Sequence, residues 1–256
     1  MERAIAVVQR CWNQWEAWPL AIPLAAWVAL SASNTVPATF LPSPAAVVSA
    51  GVEMARSGVL FADLWATSQR VLFGFGLAVL VSVPLGIVMG SFQLGQAAFE
   101  PAIGLLRYLP ASAFIPLLVI WLGLGEPSKI AILFLGTAFF NTLMTADVAR
   151  NVPHSLIDVS YTLGAGRGEV LGKVIVPHSL PGIIDAIRVN AAAAWNFVVV
   201  AELINSTAGL GYRISRAQRF LQTDQIFAVL IVIGVAGLLI DVGLRLVRSR
   251  IGRWAV

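Results

Sequence analysis

The chain has 256 residues, of which 58% are hydrophobic and only 12% charged, and its mean hydropathy is +0.84. A soluble domain carries about 25% charged residues, so the charges are too few to cover a water-facing surface and lipid must cover much of it. The formal net charge of +4 does not point to nucleic acid, because the 17 basic residues are scattered rather than gathered in a stripe with aromatics. The single Cys11 excludes an intrachain disulfide framework. His154 and His178 lie too far apart, without cysteines nearby, for a metal site.

A helix needs roughly 20 apolar residues to cross the hydrocarbon core, and the apolar segments of this chain predict about six. Residues 1–17 read as an interfacial N-terminal segment, with Trp12, Trp15 and Trp18 on one side of a helix at headgroup level. Residues 18–256 then form one membrane domain. Arg3 and Arg10 before an apolar stretch resemble a secretory leader, but a retained first span, Trp18 to Val36, suits the five that follow. Pro37, Pro42, Ser43 and Pro44 mark a loop, and a short helix follows from Ala45 to Arg56. Span two covers Leu64 to Met89, with a kink expected at Pro84 and a small-xxx-small pair at Gly86 and Gly90. Span three covers Ile103 to Leu122 and span four Ile130 to Ala146. A polar stretch of about 147–178 separates them from span five, Leu180 to Ile204, and span six is Ile226 to Leu246.

Basic residues orient the spans. With both ends in the cytoplasm, the inner side holds Arg3, Arg10, Arg150, Arg167, Lys173, Arg245, Arg248, Arg250 and Arg253. The outer side holds Arg56, Arg70, Lys129, Arg213, Arg216 and Arg219. The dense C-terminal cluster decides the bias.

The segment from Asp158 to Pro177, DVSYTLGAGRGEVLGKVIVP, is too polar for lipid and too patterned for a slack linker. Pro153 fits a helix start, and Leu156, Val159 and Leu163 form an apolar stripe at helical spacing. Gly164, Gly166 and Gly168 end that helix and let the chain turn. Val170, Leu171, Val174 and Ile175 resume an apolar face, and Pro177 and Pro181 are expected to break the chain before span five. On pattern alone this is either an ordinary surface helix or a stiff lever with a glycine pivot.

The segment resembles the EAA loop of ABC importer permeases, whose pattern is Glu-Ala-Ala, three residues, Gly, nine residues, Ile, one residue, Leu-Pro. Asp158, Val159 and Ser160 stand at the opening positions, Gly164 follows, and Val174, Val176 and Pro177 close it. The spacing is kept while the triplet and both aliphatics are substituted. The likeness extends to FLPSPAAV from Phe40, the run from Arg107 through PLLVIWLGLGEPSKI to Ile130, AELI from Ala201, GLGY from Gly209 and FLQTD from Phe220. These are similar to the branch that imports taurine, alkanesulfonates, nitrate and bicarbonate. Relatives of that branch carry prolines after the arginine of span three, where this chain reads Arg107-Tyr108-Leu109-Pro110.

The resemblance implies an all-α polytopic permease of the type I (MetI-like) ABC importer fold, in a bacterial inner membrane. It implies import of a small anionic solute. The partners it implies are cytoplasmic ABC ATPase subunits, an extracytoplasmic solute-binding protein and a second permease copy in a homodimer. Asp158, Val159, Ser160, Leu163, Gly164 and Arg167 would couple to the ATPase. ATP and Mg would sit on that partner, because this chain lacks a G-x-x-x-x-G-K-[ST] phosphate loop. It binds no cofactor and is no enzyme itself.

Charges within spans need reasons, since one at mid-bilayer costs about 2.5–3.5 kcal/mol on insertion scales. Asp185 and Arg188, one turn apart, read as an i,i+3 ion pair, with pathway lining as the alternative. Arg107 reads as snorkelling toward the inner interface. Glu202 either binds a loop arginine or meets the delivery protein. Arg213, Arg216 and Arg219 share one face of a short outer helix, open to an acidic partner or simply solvated. Asn141, Asn190, Trp195 and Asn196 are candidates for the pathway or for helix–helix hydrogen bonds. A gradient-driven transporter would place ionisable groups near the midplane of its spans, and spans two and four show none.

Overall fold

The computed structural model describes residues 18–33, 35–204 and 206–252, without the side chains of 18–20. The interfacial segment 1–17, with Arg3, Arg10, Cys11, Trp12 and Trp15, lies outside the described residues, as do the Trp18 side chain and Arg253.

Every regular element among the described residues is helical. They are α1 (Trp18–Ala32), α2 (Pro44–Arg56), α3 (Val59–Ser91), α4 (Gln93–Leu106), a 3-10 turn (Ala111–Phe114) running into α5 (Ile115–Leu122), and α6 (Glu126–Arg150). Then come α7 (His154–Thr162), α8 (Arg167–Val170), a π turn (Leu171–Ile175), α9 (Val176–Ile204), α10 (Leu210–Arg219) and α11 (Thr223–Ile251). Local chemistry sets several boundaries. Ser43 caps α2 by accepting from the Ala46 amide at 3.2 Å, and Pro44 supplies the fixed φ of a first helical position.

Against the expected six spans, the described residues hold four helices long and apolar enough to cross a membrane, five if a bent pair counts as one span, and two expected spans differ. The first case corrects span three. Pro110 lacks an N–H and pushes Leu109 out of the helical region, so the span is broken into α4 and the 3-10/α5 pair, bent by 82°. The second is span one, of which Trp18–Ala32 is described as helix, ending four residues before the expected Val36. The break expected at Pro177 and Pro181 is also absent. The chain stays helical from Arg167 to Ile204 because the π turn, with the Val176 amide donating to Leu171 O, widens the turn ahead of Pro177.

The described residues divide into two compact units, one reaching to Leu60 and including Ile214–Ile231, the other comprising Phe61–Arg213 and the residues from Val232. In the first, Trp27 donates to Pro42 O at 3.0 Å and stacks on Phe227 at 5.6 Å. Val47, Ala50 and Met54 form the buried face of α2. In the second, α6 and α9 are the best-buried helices. Gly86 and Gly90 let α3 lie against α6, since a Cβ at Gly86 would stand 2.6 Å from Thr142 O.

Candidate functional site

Helix α7 is a nine-residue helix with no buried residue. Its apolar stripe faces outward: Leu156, Val159 and Leu163 are all exposed, Leu163 by 82%. Its underside is braced, because Ile157 and Ala165 pack on a small core of Ala149, Val152, Val170 and Ile175. The helix ends in a full Schellman motif, with the Ala165 amide on Ser160 O and the Gly164 amide on Tyr161 O, and Gly164 at φ +85°. Only glycine adopts that conformation without strain. Gly166 does not end the helix, as the pattern suggested; it caps α8, its amide donating to Glu169 at 3.2 Å. Asp158 and Arg167 are exposed, and Glu169 pairs with Lys173 at 2.9 Å.

The polar residues of the spans divide. Asn141 is fully buried and donates to Ser82 Oγ, while Asn190 donates to Asn141 at 3.3 Å and to Ala186 O at 2.9 Å. These two link α3, α6 and α9 rather than face an open space. Trp195 is buried beside an apolar groove of about 450 Å3 between α3, α9 and α11. Asn196 is exposed on the same side of α9 as Val189 and Ala192. Arg107 is exposed at the end of α4, its guanidinium 4.9 Å from the Tyr108 ring.

A dense charge cluster that sequence reasoning missed stands at the other end of α6 and α9 from α7. Arg70, counted among the outer-side cations and lying near the start of span two, is buried and binds Glu126 at 2.7 Å, Glu202 at 2.6 Å and Ala208 O at 2.7 Å. Glu202 is 1% exposed. It therefore neither meets a delivery protein nor binds a loop arginine: besides Arg70 it accepts from Thr67 at 2.8 Å and from the Gly211 amide at 2.8 Å. Asp63 holds Arg213 at 2.7 Å and the Gly209 amide at 2.9 Å, and Lys129 binds Glu126 at 2.9 Å. Arg213 is thus neutralised, whereas Arg216 stays exposed. Gly209, at φ +119°, leaves no room for a Cβ, which would stand 2.5 Å from the Glu202 carboxyl carbon. AELI supplies Glu202, GLGY the amides and GLGEPSK Glu126 and Lys129, so three distant segments close on Arg70.

At the end of the spans nearer α7, Asp185 and Arg188 do pair, at 3.2 Å. Asp241 and Arg248 join them, at 2.9 Å to Arg188 and 2.6 Å to Asp185. Charge thus gathers at the two ends of this unit and leaves the middle to Ser82, Asn141 and Asn190.

The profile of the family described as binding-protein-dependent transport system inner membrane component matches residues 82–253. The chain belongs to this family. It is 35% identical over 242 residues to the taurine transport system permease protein TauC of Escherichia coli (strain K12), covering 92% of this chain and 87% of that one. A Bacillus subtilis (strain 168) chain named for aliphatic sulfonates transport, SsuC, is 34% identical over 234 residues, 91% of this chain and 85% of that one. Among solved structures, the inward-facing MetNI methionine ABC transporter aligns with a TM-score of 0.65 at 19% identity, over 73% of this chain and 93% of that one, which shows the shared fold. This member of the family is an ABC importer permease with the MetI-type all-α fold, an inner-membrane transport subunit rather than an enzyme.

Proposed function

We propose that this permease forms the pathway for a small anionic solute of the sulfonate class, and that a separate ATPase drives it through α7. The observation that carries the coupling is the geometry of α7. Leu156, Val159 and Leu163 point away from the chain while Ile157 and Ala165 anchor the helix from beneath. A short, braced, capped helix transmits a push, whereas a slack loop absorbs it. ATP and Mg belong to the ATPase, which seats α7 on the cytoplasmic side. Both chain ends lie on that side, and a solute-binding protein delivers from the other. The names of the taurine and sulfonate relatives support an anion. So does Arg107, exposed at the break between α4 and α5 with no ion pair among the described residues. A second copy covers the side of α9 that bears Asn196, a polar group that lipid would not solvate. A cysteine at Val159, in a Cys11→Ser background, should crosslink to the ATPase and not to the binding protein. A crosslink to the binding protein, or none to the ATPase in an active complex, would refute the coupling role of α7.

A further inference from the structure

Two of the segments that carry the family likeness, FLPSPAAV and FLQTD, take no part in the coupling helix or the charge clusters. They meet instead at one concavity of about 450 Å3, lined by Leu41, Ser43 and Ala46 from the first and Leu221, Thr223 and Asp224 from the second. Ser31 and Thr39 add two hydroxyls. The wall is braced, because Trp27 holds Pro42 O and stacks on Phe227. Asp224 is half-buried; its Oδ1 accepts the neighbouring Gln225 amide at 2.9 Å, and it has no ion pair among the described residues. Phe40, Phe220 and Leu221 are exposed beside it, by 71%, 68% and 68%.

Leu221 is the telling residue. Helix α10 ends in a Schellman motif, with the Gln222 amide on Ala217 O at 2.9 Å and the Leu221 amide on Gln218 O at 3.1 Å. Leu221 fills the position that glycine usually takes, at φ +55°. A branched side chain in that conformation costs about 1–2 kcal/mol, and Leu221, 68% exposed, has little packing within the chain to offset the cost. A strained residue with an exposed side chain points to an external use.

We infer that this concavity is the socket by which the permease engages its solute-binding protein, taking one lysine or arginine side chain of that partner against Asp224, with Leu221 and the two phenylalanines as apolar rim. This rests on the importer reading and on the topology that puts residues 37–56 outside. Asp224 repels the anionic solute, so the socket is not a solute site, and the apolar rim around one unpaired carboxylate has the anatomy of a protein contact. The test is ATP hydrolysis by the reconstituted permease–ATPase complex, titrated with its loaded binding protein. Asp224→Asn should raise the concentration for half-maximal stimulation about 10-fold, leave hydrolysis without binding protein unchanged, and remove most of the salt dependence seen with the wild type. Leu221→Gly relieves the strain, so misfolding cannot explain its effect; it should shift the same curve without altering its salt dependence. Wild-type curves for both variants would overturn the socket while leaving the importer reading intact. Absence of stimulation in the wild type would instead overturn the importer reading. A shift in the solute dependence of Asp224→Asn, with the binding-protein curve unchanged, would reassign the concavity to a small cationic ligand and refute the inference.

Discussion

Arg70 is the hub of the charge cluster at the end of α6 and α9 away from α7. Its guanidinium serves two carboxylates and a carbonyl, and the Glu202 side chain has no access to solvent. Removing one partner of such a pair strands the other, at about 3–5 kcal/mol. Arg70→Ala should therefore lower the unfolding midpoint of the detergent-purified protein severely. Arg70→Lys should recover only part of it, since an ammonium cannot match the planar fork. Arg150→Ala is the control: its pair with Glu100, at 3.0 Å, is part-exposed and worth under about 1 kcal/mol. Gly209→Ala should destabilise by about 1–3 kcal/mol through backbone strain alone, and by more because its Cβ meets Glu202. The sequence discloses pairs that lie on one helix face, such as Asp185 with Arg188. It does not disclose Arg70 with Glu202, which are 132 residues apart. Nothing local to Arg70 names its distant carboxylate partners.

Among the elements, α7 was the most legible, because its boundaries are written in Pro153 and Gly164 and its stripe in helical spacing. The pattern could not say which way the stripe faced. That depends on Ile157 and Ala165 finding a core beneath them. Gly164→Pro removes the amide that closes the Schellman motif onto Tyr161 and demands a negative φ, so it should abolish solute uptake while leaving membrane insertion intact. Asp158→Lys should do the same by reversing the charge on the docking face. Normal uptake by either variant, with wild-type ATPase binding, would contradict the lever. Two elements were misread for a common reason. Proline marks a local cost, and the surrounding backbone decides how it is met: by a break at Pro110, and by a π turn ahead of Pro177.

For the whole molecule, composition and apolar run length were enough to read a polytopic helical protein. They could not show that one run would be broken at Pro110. The topology has a direct check, in which reporters fused at Arg253 and near Glu53 fall on opposite sides of the membrane, and same-side signals would contradict it. The central claim is that this chain moves solute only when a separate ATPase works through it. The measurement that tests it is uptake of labelled sulfonate into proteoliposomes holding the permease, with ATPase, binding protein and ATP added or withheld. Uptake should require all three, and a proton or sodium gradient should not replace ATP. Gradient-driven uptake by the permease alone would contradict the account.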